Sequence, residues 1–268
     1  MKILTFLFCI ISLSQGYAQL PSSPFLPSNS LSRGGIVSTS QGPASVFINH
    51  AGLTDVNSFG VSLSSEQRFG LSELASITFS AAKRIDKNGV IAFGVGSYGL
   101  DELKQQLLVM SYARSLSPVL KLSVAFDLGR IDAQEFGTRD QFSAEIGAQY
   151  QLNKDVNIGL IVKNPISSNN TDLNTGSLIA LGAEFKLDEK VAIYTDALLT
   201  NGNRWDLIGG LAYDLHKRLQ FNLGISTSKN TINFGFRVNL QDSLLLDVAV
   251  SRHRDLGLTP SVGLIYDK

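Results

Sequence analysis

The stretch "LNKDVNIGLIVKN", residues 152–164, decides how the chain folds. From Val156 onward, Val156, Ile158, Leu160 and Val162 interleave with Asn157, Gly159 and Lys163, so one set of side chains is greasy and the other mostly small or hydrophilic. A period of two sends the two sets to opposite faces of a strand. What the greasy face meets has to be read from the rest of the chain.

Working outward, the same pattern returns. In 142–152, Phe142, Ala144, Ile146, Ala148, Tyr150 and Leu152 oppose Ser143, Glu145, Gly147, Gln149 and Gln151. In 177–187, Ile179, Leu181, Ala183, Phe185 and Leu187 oppose Ala180, Gly182, Glu184 and Lys186. Segments 219–225 and 232–240 repeat it, and no apolar face carries a charge. Fourteen such segments are readable, at about 58–67, 73–85, 89–99, 103–115, 119–131, 139–152, 155–165, 176–187, 190–200, 204–215, 218–228, 231–240, 243–252 and 259–267. Most have the roughly 9–11 residues that a tilted strand needs to cross a bilayer.

The connections support the reading. "IDKNGV", "LSPVLK", "LNKDVN", "LDEKVA", "LHKRLQ" and "LQDSLL" are tight, and they alternate with looser links such as "QRFGLSE", "IDAQEFGTRD" and "NPISSNNTDLNTG". Outer-membrane barrels have short periplasmic turns and longer external loops in that alternation. In hydrocarbon an open sheet edge leaves backbone groups without partners, so the sheet must close. The expected fold is all-β: a closed antiparallel transmembrane β-barrel of about fourteen strands over residues 57–268. Tyr150, Phe185, Trp205, Tyr213 and Tyr266 are candidates for the interfacial aromatic girdles. Asp127, Glu145, Lys163, Glu184, Lys186, Asp206, Asp214, Arg237 and Asp247 alternate with the greasy positions and are expected to face the lumen, where mixed signs suggest internal ion pairs. Charge at inward Asn222 is expected to be tolerated far better than at outward Leu223 or Phe234.

Composition narrows the function. The chain is 44% hydrophobic and 17% charged, with 23 basic and 23 acidic side chains, which gives no electrostatic case for nucleic acid. Residues 1–18, "MKILTFLFCIISLSQGYA", read as a secretory signal peptide cleaved before Gln19. Its removal takes away Cys9, the one cysteine. Catalysis is not expected, because the three histidines, His50, His216 and His253, lie far apart in the chain and have no recognisable serine partner. Scattered histidines likewise predict no metal site, and no cofactor motif is present. The glycines of "GVGSYG" lie inside a strand, where they ease curvature or close packing.

Residues 19–56 break the alternation. Prolines, the Gly34–Gly35 pair and many serines argue against strands, yet Val46, Phe47, Ile48 and Leu53 are too apolar for a free tail. Pro43 after Gly42 predicts a short helix reaching about Asn49. The segment is placed to fold back into the lumen as a plug, the alternative being a periplasmic tether.

"GPASVFINHAGLTDV" resembles the N-terminal signature of FadL and PorV-like outer-membrane proteins, with Asn49, Ala51, Gly52 and Leu53 on the motif core and His50 where those families have proline. "SLSRGGIVSTS" is similar to the stretch preceding that core in PorV-like proteins of Bacteroidota. The resemblance implies a fourteen-stranded barrel with a lumenal N-terminal segment and makes Asn49, His50, Ala51, Gly52 and Leu53 candidates for a plug or gate. It also implies two different roles: an accessory or scaffold barrel of PorV or PorQ type, partnering proteins of type IX secretion or surface assembly, or a FadL-like passive transporter in which a hydrophobic small molecule crosses the lumen and leaves through the wall. The short links favour the accessory role. A soluble periplasmic β-protein is a third reading. In the first two, outer-membrane lipid surrounds the chain, in a Gram-negative bacterium.

Overall fold

The computed structural model describes residues 25–100, 102–135, 137–164, 177–200 and 204–268. The expected signal peptide, residues 19–24, and most of the links "NPISSNNTDLNTG" and "TNGNR" lie outside them.

Fourteen strands follow one another around a closed antiparallel wall. They are β1 (Phe59–Gln67), β2 (Ala75–Arg84), β3 (Gly89–Leu100), β4 (Leu103–Ser115), β5 (Leu120–Ala133), β6 (Gly137–Asn153), β7 (Val156–Lys163), β8 (Leu178–Lys186), β9 (Val191–Thr200), β10 (Arg204–His216), β11 (Leu219–Ser226), β12 (Thr231–Gln241), β13 (Leu244–His253) and β14 (Gly257–Asp267). Each pairs with its sequence neighbour, and β1 closes on β14 from Gly60↔Asp267 to Glu66↔Ser261. Closure is what the solvent demands, since hydrocarbon offers no partner to an unpaired edge.

Alternation sorts the side chains to two sides. Val124, Phe126 and Leu128 of β5 point outward and are exposed, while Ser123, Ala125 and Asp127 point inward and are buried. On β12, Ile232, Phe234 and Phe236 face out, and Asn233 and Gly235 face in. Such a continuous apolar exterior excludes a soluble periplasmic β-protein, because water would meet it on every side. Tyr150, Phe185, Tyr213 and Tyr266 all stand near the tight-turn end, and Trp205 near the other, so the aromatics are gathered mainly at one rim.

The loops depart from expectation at "IDAQEFGTRD". There β5 continues to Ala133 and β6 begins at Gly137, paired through Asp132↔Thr138. Beyond the bilayer both faces of a hairpin are wet, so alternation disappears while the ladder goes on. Arg130 holds this tip by donating to both carboxylate oxygens of Asp140, at 2.7 and 3.0 Å.

Residues 25–56 lie inside the wall, and of these only Gln41 and Asp55 are exposed. Ser28–Leu31 forms one helical turn, followed by two 3-10 turns, Pro43–Phe47 and His50–Asp55. Pro43 starts its turn as expected, but the helix is a single tight turn that ends at Phe47, before Asn49. The segment joins β1 at the tight-turn end, where Arg84 donates to the carbonyls of Thr54, Val56 and Asn57.

Candidate functional site

The lumen is a mould of the segment that fills it. Two apolar patches join segment and wall. Ile36, Val37 and Ile48 pack on Ile161, Ala180, Tyr194, Leu198, Ile208 and Ala212. Val46, Leu53 and Val56 pack on Ala82, Val90, Val109, Ala113 and Ala125. Full burial of one such aliphatic side chain stabilises by about 1.5–3 kcal/mol, so the segment is docked by its own grease, in a lumen expected to be small and polar.

Inward glycines trace its path. A side chain at Gly159 would run into the Ser38 carbonyl, and one at Gly224 would meet the backbone of Arg33 and Gly34. At Gly94 a Cβ would stand 2.6 Å from Val46, and at Gly96 it would stand 2.7 Å from the Phe25 ring. Of the glycines of "GVGSYG", Gly94 and Gly96 therefore serve close packing against the segment, while Gly99, at φ +81°, lies against the Leu103 carbonyl of β4.

Backbone polar groups of the segment are met by wall side chains, as burial requires. Asp196 of β9, which the alternation pattern did not single out, accepts the Val37 N–H at 2.6 Å and the Ser38 N–H at 3.1 Å, and it also takes the Ser38 hydroxyl. The available signal was an acid in a row whose other members, Tyr194 and Leu198, are large and buried. Gln149 donates to the carbonyl of Ser40 at 2.7 Å, and Ser28 Oγ lies 2.7 Å from Ser64 Oγ and 2.6 Å from Ser261 Oγ.

The motif core sits deep in this arrangement. Asn49 donates to the carbonyls of Ser38 (2.5 Å), Ala148 (3.1 Å) and Leu160 (3.4 Å), while its side-chain oxygen accepts the Ala51 N–H at 3.1 Å. Ala51 and Leu53 are fully buried, and Gly52 is pressed against the Ser40 carbonyl so closely that a Cβ has no room. His50 Nε2 lies 3.3 Å from Glu145 Oε2. Lys163, directly across from Glu145 on β7, donates to Asp127 Oδ2 at 2.5 Å and to Glu145 Oε1. His50, Asp127 and Glu145 thus bring ligand atoms within 4.8 Å of one another. Residues so distant in sequence meet only because the segment folds back onto β5 and β6.

The other polar positions divide. Glu184 accepts from the Tyr194 hydroxyl at 3.1 Å, and Asp206 accepts the Ser226 hydroxyl and the Ser228 N–H at 3.0 and 2.9 Å. Arg237 makes a two-pronged pair with Asp247, at 2.7 and 2.9 Å. Asp214 accepts from Gln220 at 2.9 Å near the tight-turn end, and Lys186 ends β8 exposed at that same rim instead of in the lumen. Asn222 lies on the inward face, where at 2% exposure it meets packed protein rather than open lumen. His216 and His253 stand at opposite ends of the barrel.

On the loop-end half of the wall a cleft of about 480 Å³ is lined from both faces, by outward Val95, Leu108 and Leu128 and by Gly96, Leu107 and Gly129. Gly96, Leu107, Gly129 and Gln141 form one register row across β3 to β6. Phe25 covers Gly96 from inside.

Fold and site define a class: a fourteen-stranded barrel of the outer-membrane type whose lumen is filled by its own N-terminal segment. Among solved structures the chain is similar to a Pseudomonas aeruginosa FadL homologue, with a TM-score of 0.68 at 10% identity over 91% of this chain and 99% of that one. It is similar also to the Pseudomonas putida toluene transporter TodX, at 0.63 and 11% over 89% and 96%, and to the Ralstonia pickettii toluene transporter TbuX, at 0.60 and 11% over 89% and 96%. No protein-family model and no curated protein matches the chain. The PorV- and PorQ-type side of the resemblance is overturned by these likenesses, and the accessory role in secretion or surface assembly falls with it. Short links misled, since strand extension at β5 and β6 hides the size of the external face.

Proposed function

We propose that the chain is a passive outer-membrane channel for small hydrophobic compounds. The observation that carries the reading is a lumen filled by residues 25–56 within a barrel similar, over nearly its whole length, to the toluene transporters TodX and TbuX. A lumen occupied by protein and carrying apolar patches at Ile36, Val46 and Leu53 favours a greasy solute over ions or sugars. In this reading the core at Asn49, His50, Ala51, Gly52 and Leu53 is the part that must shift to let a compound by. The cleft at Gly96 and Gly129 is the place where it reaches the wall, with Phe25 as its inner cover.

The test is uptake of a labelled monoaromatic hydrocarbon and of a labelled fatty acid by cells with and without the chain. Faster entry of either, with unchanged entry of a small sugar, is expected; no acceleration of either overturns the reading. Gly129→Leu sharpens the test. A Cβ there meets nothing closer than Gln141 at 3.6 Å, so the variant is expected to fold normally while filling the cleft and slowing uptake severalfold.

A further inference from the structure

The cluster at His50 differs from the lumen's other ion pairs in its charge balance. Arg237 and Asp247 neutralise each other, but Asp127 and Glu145 share a single ammonium, that of Lys163. With a neutral imidazole the group is one positive charge short, and Asp127, Glu145 and His50 are only 1%, 7% and 2% exposed. An uncompensated buried charge is costly, so the site favours taking up a cation. A second observation points the same way: Asp127 Oδ1 is buried and has no partner.

The geometry points to a binding site for a divalent cation of the zinc, cobalt and nickel class, held by His50, Asp127 and Glu145, in which Lys163 is the resident cation that the metal displaces. One imidazole nitrogen and two carboxylate oxygens are a donor set suited to these ions. Their ligand atoms lie within 4.8 Å of one another, and a closure of about 1.4 Å brings the widest pair to the roughly 3.4 Å spacing of ligands around a tetrahedral ion with bonds of about 2.0–2.2 Å. The Lys163 side chain is 21% exposed, and its flexible stem lets the ammonium swing away from the two carboxylates. The exchange puts two positive charges against two carboxylates and removes the deficit. Because His50 belongs to the lumenal segment while Asp127 and Glu145 belong to β5 and β6, a bound ion ties the segment to the wall. The inference does not depend on the transport reading.

The experiment is a titration of the untagged full chain, folded in detergent, with Co²⁺ followed by visible absorption, then displacement by Zn²⁺. One saturating Co²⁺ per chain is expected. Glu145→Gln and Asp127→Asn, both near-isosteric, should each weaken binding by at least roughly tenfold, the loss that even an outer-shell partner typically causes. Lys163→Met should tighten it by removing the competitor. Folding of each variant is verified by heat-modifiable migration. Absence of saturable uptake in both the native chain and Lys163→Met overturns the site. So does uptake that survives Glu145→Gln but is lost with His216→Ala or His253→Ala, which marks an adventitious surface site, and so does an affinity that falls in Lys163→Met.

Discussion

The outer and inner faces of the same wall obey different rules. Outside, Leu223 of β11 and Phe234 of β12 stand opposite each other, and any pair of similar greasiness would serve there. Inside, the next pair along is Gly224 opposite Asn233, and Gly224 is glycine because Gly34 of the lumenal segment lies against it. The bilayer is a solvent and asks only for an apolar surface, whereas the lumenal segment is a partner and dictates shape at single positions. Substitutions outside should therefore be judged by polarity, and those inside by volume and hydrogen bonding.

The largest expected effect tests the outer rule. Leu223→Arg or Phe234→Arg should destabilise the barrel by about 2–4 kcal/mol near mid-bilayer, read from urea unfolding out of lipid vesicles, while Leu223→Ile or Phe234→Leu should change little. Comparable losses for the apolar and charged replacements would show that the outer face, too, is specified by shape.

Asp196→Ala comes next and probes the inner rule. It strips the acceptor from the Val37 and Ser38 N–H groups, and a hydrogen bond to a charged group is worth roughly 1.5–3 kcal/mol. The segment should loosen before the wall does, so limited proteolysis is expected to cut within residues 25–56 of an otherwise intact barrel; proteolysis unchanged from the native chain would place the segment elsewhere. Gly159→Ala should cost about 1–3 kcal/mol by overpacking against Ser38, although alanine is the better residue in a generic strand.

The smallest effect belongs to a site on neither face. Asp86, in the tight turn between β2 and β3, accepts the N–H groups of Asn88 and Gly89, each at 2.7 Å, and these, with Arg114 beside them, hold its carboxyl below the ordinary range. A carboxyl lowered in the folded state contributes stability above its unfolded pKa of about 3.9 and loses it as pH falls through the folded value. Titration of its carboxyl carbon by NMR should show the midpoint below that reference, and a midpoint at or above it would mean an open turn. Screening by water keeps the consequence for overall stability slight.

This asymmetry explains what could be read from the chain beforehand. Strand number, the tight turns and the outward residues were legible because lipid imposes one rule on every strand, visible in "VNIGLIVK" as in "TINFGFRV". The inner face was legible only as small and polar. Nothing in the spacing of Gly94, Gly159 or Gly224 says which part of residues 25–56 lies over each, since that depends on the path of a segment without periodicity. For the same reason the meeting of His50 with Asp127, Glu145 and Lys163 was not foreseen. The β5–β6 tip was missed for the opposite cause: it has no lipid on one face and no partner on the other, hence no pattern.

The central claim, that the N-terminal segment occupies the lumen against a wall shaped to it, is tested most directly by a cysteine pair at Ser28 and Ser261, whose hydroxyl oxygens lie 2.6 Å apart, in a Cys9→Ser background. In the folded protein the two thiols should join under mild oxidation and escape maleimide labelling until reduced. Two thiols that stay separate and label freely in a fully folded barrel would contradict the account.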